Sequence, residues 1–93
     1  MSLDEDLARA ERAKAILDDP LVKQAFADIE AVQLDAWRKT PVRDGEGREA
    51  IWHMLKAMDA FRAYFLTAIE GGKVAAYQIE QTKRQRAVNG RTS

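Results

Sequence analysis

Apolar residues recur every three or four positions along most of the chain, which is the spacing of one face of an α-helix. No stretch of four to eight residues alternates apolar and polar side chains with β-branched enrichment, so the sequence predicts no strand. The pattern is interrupted by two prolines and five glycines: Pro20, Pro41, Gly45, Gly47, Gly71, Gly72 and Gly90. The predicted fold is therefore all-α, with helices that begin and end near these residues.

The first helix is expected over about residues 3–17. Ser2 and Glu5 have the spacing of a capping box, in which each side chain bonds the other residue's backbone N–H. Acidic residues fill the first turn, where the helix dipole favours them. Asp19 can cap a second helix with Pro20 in its first position, so the chain either bends or restarts there.

Two longer helices are expected over about residues 20–39 and 46–70. Thr40-Pro41 ends the first of them, because the residue before a proline avoids the helical conformation. Gly71-Gly72 is expected to end the other, with a left-handed glycine as C-cap. Because a short link joins the two helices, the pattern predicts a long antiparallel helical hairpin, followed by a short C-terminal helix or tail.

The apolar faces of this hairpin are larger than a chain of 93 residues can bury by itself. The first helix can cover part of them, and the remainder is expected to meet a second copy or another protein. Trp37 and Trp52 flank the turn at similar heights, so their indoles are expected to pack together or against Pro41. The predicted protein interface consists of large apolar side chains: Phe26, Ile29, Trp37, Trp52, Met58, Phe61 and Phe65.

Charge is balanced over the whole chain, with 15 basic and 15 acidic residues, but it is unevenly distributed. Residues 1–19 hold six acids and three bases, whereas residues 71–93 hold five bases and one acid. We expect one helical domain over residues 1–81 and a basic, flexible tail over residues 82–93. The tail is expected to be solvated or docked on an acidic neighbour. The alternative is that its basic side chains contact DNA or RNA non-specifically: Lys83, Arg84, Arg86 and Arg91.

Gly45 and Gly47 precede a predicted helix, as the glycines of a phosphate-binding loop do. A dinucleotide-binding fingerprint, however, needs a third glycine where Ala50 stands, and a strand before the loop. The neighbouring glutamates would also repel a phosphate. We therefore interpret the segment as a hairpin apex, in which the glycines let the chain reverse and Arg43 and Arg48 stay exposed for contact with a protein.

Catalytic chemistry has few of its usual parts in this sequence. There is no cysteine, the serines are Ser2 and Ser93, and His53 is the single histidine. A Ser-His-acid set and a metal site are therefore not predicted. We expect no enzyme, no cofactor, no bound metal and no small-molecule substrate.

Association with a membrane is not predicted either. No apolar run approaches the roughly 18 residues of a transmembrane helix, and the acidic N-terminus is unlike a signal peptide. The polar face of the third helix mixes both signs of charge, unlike the cationic face of a membrane-surface helix: Lys56, Asp59, Arg62 and Glu70.

Several landmarks between about residues 9 and 76 resemble a group of small, mostly uncharacterised helical proteins of tailed bacteriophages and proteobacterial prophages. They are residues of helices and turns: Asp19-Pro20-Leu21, Phe26, Trp37, Thr40-Pro41, Arg43-Asp44, Gly47-Arg48-Glu49, Trp52 and Gly71-Gly72-Lys73. The resemblance implies a phage-encoded protein from a region concerned with head assembly or DNA packaging. It implies no active-site residue.

Three functions are compatible with these features. The first is a non-enzymatic structural protein of virion assembly, which self-associates or clamps a phage structural protein in the host cytoplasm or in the virion. The second is a small terminase-like subunit of DNA packaging that contacts DNA through its basic tail. The third is a phage inhibitor that binds a host protein.

Overall fold

The computed structural model describes residues 2–91, and this part of the chain is helical almost throughout. It contains three helices and no strand: α1 (Leu3–Asp18), α2 (Pro20–Lys39) and α3 (Gly45–Arg91). The prediction of an all-α fold is therefore confirmed.

The chain restarts between α1 and α2. Ser2 Oγ caps α1 by accepting a hydrogen bond from the backbone N–H of Glu5 at 3.1 Å. Asp19 is extended (φ −61°, ψ 126°), and its carboxylate accepts from the backbone N–H groups of Leu21 and Val22 at 2.8 and 3.2 Å. With Pro20 as the first helical residue, this is the N-cap that the sequence predicts.

The predicted end of α2 is confirmed as well. Thr40 is extended (φ −70°, ψ 125°), as a residue before proline prefers to be. Its backbone N–H donates to the carbonyl of Trp37 at 3.2 Å, and its hydroxyl donates to the carbonyl of Ala36 at 2.6 Å. Thr40 thus satisfies carbonyl groups that the last turn of α2 leaves without helical partners.

The predicted end of the third helix at Glu70 is wrong. Gly71 and Gly72 lie inside α3, and no glycine of the described chain has a positive φ. A separate short C-terminal helix is therefore absent from residues 71–91, which continue α3. The flexibility of the tail at residues 82–93 stays a prediction, as does the single domain over residues 1–81; Thr92 and Ser93 lie outside the described residues.

Contacts divide the chain into two compact units, and α3 contributes to both. The central unit comprises residues 16–64, that is, the end of α1, all of α2 and the first part of α3. The terminal unit comprises the chain up to Ala15 and the chain from Phe65 onward.

Along α3, one stripe of buried or half-buried residues follows three- and four-residue steps, and we call it the inner stripe: Ile51, Leu55, Met58, Arg62, Phe65, Ile69, Gly72, Ala75 and Ile79.

Small residues allow α1 and α3 to approach closely in the terminal unit. Ala13, Gly72 and Ala75 are buried there. A Cβ atom added to Gly72 would overlap the Cβ of Ala10, so the crossing needs a residue without a side chain at this position. Gly71 has no heavy atom near the corresponding site. The glycine pair therefore serves helix packing at Gly72 rather than helix termination.

Substituting the two glycines one at a time separates packing from helix propensity. Gly71→Ala is expected to raise the free energy of unfolding by about 0.5–1 kcal/mol, because alanine is the better helix former. Gly72→Ala is expected to lower it, since overpacking costs about 1–3 kcal/mol and exceeds the same gain. Urea unfolding followed by circular dichroism measures both changes, and a stabilised Gly72→Ala variant would contradict the close crossing.

Candidate interaction surface

An apolar groove lies between α2 and α3 in the central unit. Its volume is about 370 Å³, and all of its lining residues are apolar: Val22, Ala25, Phe26, Ile29, Ala57, Met58 and Phe61. Phe26 and Met58 are half-buried, whereas Ile29 remains 46 % exposed and Phe61 58 % exposed. The groove therefore presents hydrocarbon to solvent on a surface formed by two helices.

The sequence produces this groove because both helices carry more apolar residues than one contact face can use. Besides the residues that face the interior of the unit, each helix has a second apolar row at steps of three or four residues. We call this row the outer stripe, and all of its members are exposed: Leu21, Ala25, Ile29 and Val32 on α2, and Ala50, Met54, Ala57, Phe61 and Tyr64 on α3. The outer stripe borders and partly lines the groove.

Arg62 belongs to the inner stripe, although the sequence places it on the polar face of the third helix. Its guanidinium carbon lies 4.6 Å from the centroid of the Phe26 ring, and the residue is half-buried. The Phe26 and Phe61 rings are themselves 6.1 Å apart. A cation over an aromatic face and an apolar stem make arginine compatible with such a position. The four-residue step from Met58 was the signal in the sequence.

The predicted interface residues do not all lie together. Phe26, Ile29, Met58 and Phe61 line the groove. Phe65 is half-buried and belongs to the terminal unit. The two tryptophans are absent from the groove lining, so the surface that the structure assembles contains four of the seven predicted residues and adds Val22, Ala25 and Ala57.

The tryptophans are half-exposed, with 45 % of Trp37 and 50 % of Trp52 accessible. The indole of Trp52 meets the His53 ring edge-to-face, with centroids 5.1 Å apart, and Lys56 Nζ lies 5.7 Å from the indole centroid. Within residues 2–91, no ring contact joins Trp52 to Trp37. The alternative, packing of the indoles against Pro41, stays a prediction.

The turn between α2 and α3 lies at Pro41–Asp44, ahead of both glycines. The backbone N–H of Asp44 donates to the carbonyl of Pro41 at 2.9 Å, and the Asp44 carboxylate caps α3 by accepting from the N–H of Gly47 at 2.8 Å. Gly45 and Gly47 already belong to the first turn of α3. A Cβ at Gly47 would overlap the Asp44 carboxylate, so this glycine leaves room for the cap.

Arg48 is bound to the apex instead of being exposed, which corrects the prediction. Its Nη1 atom donates to the carbonyl oxygens of Pro41 and Val42 at 3.0 and 2.6 Å, and the residue is half-buried. Arg43 is exposed as expected. Because Arg48 bonds the carbonyls of the turn, its contribution at the apex is to fix the backbone of the reversal.

The basic residues near the end of α3 lie beside acidic groups. Lys83, Arg84 and Arg86 are exposed, and Arg84 Nε is 3.4 Å from Glu80 Oε1. A second cavity, of about 380 Å³, is lined in the terminal unit by Leu3, Asp4, Ile79, Thr82, Lys83 and Arg86. The acidic start of α1 and the basic part of α3 are thus neighbours. The side chain of Arg91 lies outside the part of the chain that the structure describes.

Two further features concern other kinds of site. Among the described residues, none of the helices combines the length and apolar content needed to cross a bilayer. Over the same residues, no three potential metal ligands are gathered into one group. His53 is exposed, and its Nε2 atom lies 3.6 Å from Glu49 Oε1 one helical turn away.

Neutralising the two arginines of the apex separately tests the role assigned to Arg48. Arg48→Gln is expected to lower the free energy of unfolding by about 1 kcal/mol. Glutamine is shorter and uncharged, so the charged hydrogen bonds to the two turn carbonyls are lost. Arg43→Gln, the matched control at an exposed position, is expected to change it by less than about 0.5 kcal/mol. Urea titration measures both, and equal effects would argue against a specific bond to the turn.

The chain was compared with protein families, with curated proteins and with solved structures. No protein-family model matches the chain, no curated protein matches its sequence, and no solved structure matches its fold. The groove and the outer stripe therefore supply the observations from which a function can be inferred.

Proposed function

We propose that this chain is a non-enzymatic interaction protein whose working surface is the apolar groove of the central unit together with the outer stripe. It acts in the virion assembly of a tailed phage or prophage, where it self-associates or clamps a phage structural protein. The observation that carries the proposal is the groove, which is lined only by apolar side chains and is open to solvent.

The small core supports this proposal. The buried hydrophobic residues of the described chain are Ala13, Ile51 and Ala75, and two of these three have the smallest apolar side chain. Many larger side chains, including Leu21, Val32 and Phe61, are exposed instead. A domain of this size is marginally stable even when compact, and oligomerisation is a common remedy. Association through the exposed face would add the missing burial.

A helical hairpin provides a suitable geometry for the working surface. A turn of a few residues links α2 to α3, and Phe26 of one helix contacts Phe61 of the other at 6.1 Å between ring centroids. Antiparallel helices joined in this way present two parallel rows of side chains. A partner helix laid between the rows would bury the groove, as amphipathic helices do in other proteins.

The setting in a phage rests on the resemblance of the helix and turn landmarks to small phage and prophage proteins. An assembly component needs surfaces that bind other subunits and does not need a catalytic centre. The proposed places of action are the host cytoplasm during assembly and the virion. No cofactor, metal or small-molecule substrate enters the proposal.

Two alanines of α2 offer a matched test of this function. Ala25 lines the groove, whereas Ala27 is exposed about 200° away around the helix. Ala25→Glu is expected to reduce the yield of infectious particles from an induced prophage by about tenfold or more, because an unpaired carboxylate in an interface costs ~2–5 kcal/mol. Ala27→Glu is expected to leave the yield within about twofold.

Particle titres and sucrose-gradient fractions probed for the chain measure the outcome. The wild type and Ala27→Glu are expected in the fractions of particles or assembly intermediates, and Ala25→Glu in the free fraction. Wild-type titres and fractionation for Ala25→Glu would remove the groove from the proposed function.

DNA packaging is the second candidate, and the exposed basic side chains of Lys83, Arg84 and Arg86 favour it. Helical presentation of three cations would suit contact with a phosphate backbone, although Asp4 and Glu80 compete for them. Deleting residues 82–93 is expected to abolish any retention on DNA–cellulose at low salt, and Lys73→Ala, a control elsewhere on α3, to preserve it. Absence of retention for the full-length chain would count against this candidate.

A further inference from the structure

We infer that the surface formed by the groove and the outer stripe is occupied by a second copy of this chain, so that two central units form a four-helix bundle around a two-fold axis. The inference rests on the proposed function, because it names the partner of the same surface. Three properties of the surface support it.

The first property is the amount of accessible surface. The large side chains of the outer stripe are 46–77 % exposed in a single chain: Leu21, Ile29, Val32, Met54, Phe61 and Tyr64. A standard protein interface buries about 800 Å² on each partner. Because a large aromatic side chain can bury about 150–250 Å², six large side chains at this exposure and three exposed alanines provide surface of that order.

The second property is the absence of charge from the outer stripe. All nine members are uncharged, and so are all residues that line the groove. In a two-fold interface the same patch meets itself, so any charge near the axis would approach its own copy. A patch without charges avoids this repulsion, whereas a surface for a different, charged partner would be expected to carry the complementary sign.

The third property is that the surface contains both a recess and side chains that can fill it. Phe61 and Ile29 line the groove and still expose about half of their surface. In an isologous contact, the exposed ring of Phe61 from one copy can enter the groove of the other, and the reverse contact follows by symmetry. Rows spaced by three and four residues are also those that pack helices at about 20° in four-helix bundles.

Two alanines of α3 provide the test. Ala57 lines the groove, and Ala63 is exposed about 120° away around the same helix, beside Asp59 and Lys56. Both sites are exposed in a single chain, so Ala57→Glu and Ala63→Glu are expected to fold. Circular dichroism verifies that both variants keep the helical content of the wild type.

Size-exclusion chromatography with light scattering at micromolar concentration gives the mass. The wild type and Ala63→Glu are expected at twice the 10.5 kDa of one chain, and Ala57→Glu at the mass of one chain. The dissociation constant of Ala57→Glu is expected to rise at least about a hundredfold, since two carboxylates would be buried without partners.

Other outcomes separate this inference from the proposed function. A wild-type monomer that binds the dye ANS, with binding lost in Ala57→Glu, overturns the second copy but leaves an open interaction surface for a different protein. A wild-type monomer that binds no ANS overturns both. A dimer that survives in Ala57→Glu places the contact elsewhere and overturns the inference, and a wild-type mass above two chains overturns the closed dimer.

Discussion

The structure depends on the packing of the inner stripe of α3. In the central unit, Ile51, Leu55 and Met58 from this stripe are covered, and Phe26 of α2 packs beside Arg62. In the terminal unit, Gly72 and Ala75 continue the stripe, and α1 approaches so closely that Gly72 cannot carry a side chain. In each unit, part of α3 thus supplies a row of contacts to a shorter helix. Since each crossing involves only two helices, few side chains can become fully buried.

The same constraint explains why an apolar surface remains. Two packed helices can cover one face of each other, and any second apolar row stays in water. The outer stripe is such a row, and it is present on α2 and on α3 in the same unit. Ile29 and Phe61 of the outer stripe line the groove between the helices and remain exposed there. The apolar surface on which the proposed association rests is therefore a consequence of packing two helices.

Some parts of this surface could be anticipated from the sequence, and others could not. The excess of apolar side chains was visible, and Phe26, Ile29, Met58 and Phe61 of the predicted interface line one groove. The sequence did not separate the inner stripe from the outer stripe, because members of the two stripes are only one or two positions apart and both stripes repeat at helical spacing. Arg62 was assigned to the polar face for the same reason, although its ring contact with Phe26 sets it in the inner stripe.

The sequence by itself determined the helix boundaries that depend on local hydrogen bonds. The caps at Ser2, Asp19 and Thr40 each involve atoms within four residues, so they form without help from a distant contact. Only tertiary structure decided that Gly71-Gly72 continues a helix, because glycine permits termination without requiring it and α1 packs against the helical form. It also decided that Arg48 bonds the carbonyls of Pro41 and Val42, since these oxygens come within reach of its Nη1 atom only when Pro41–Asp44 has formed the turn before α3.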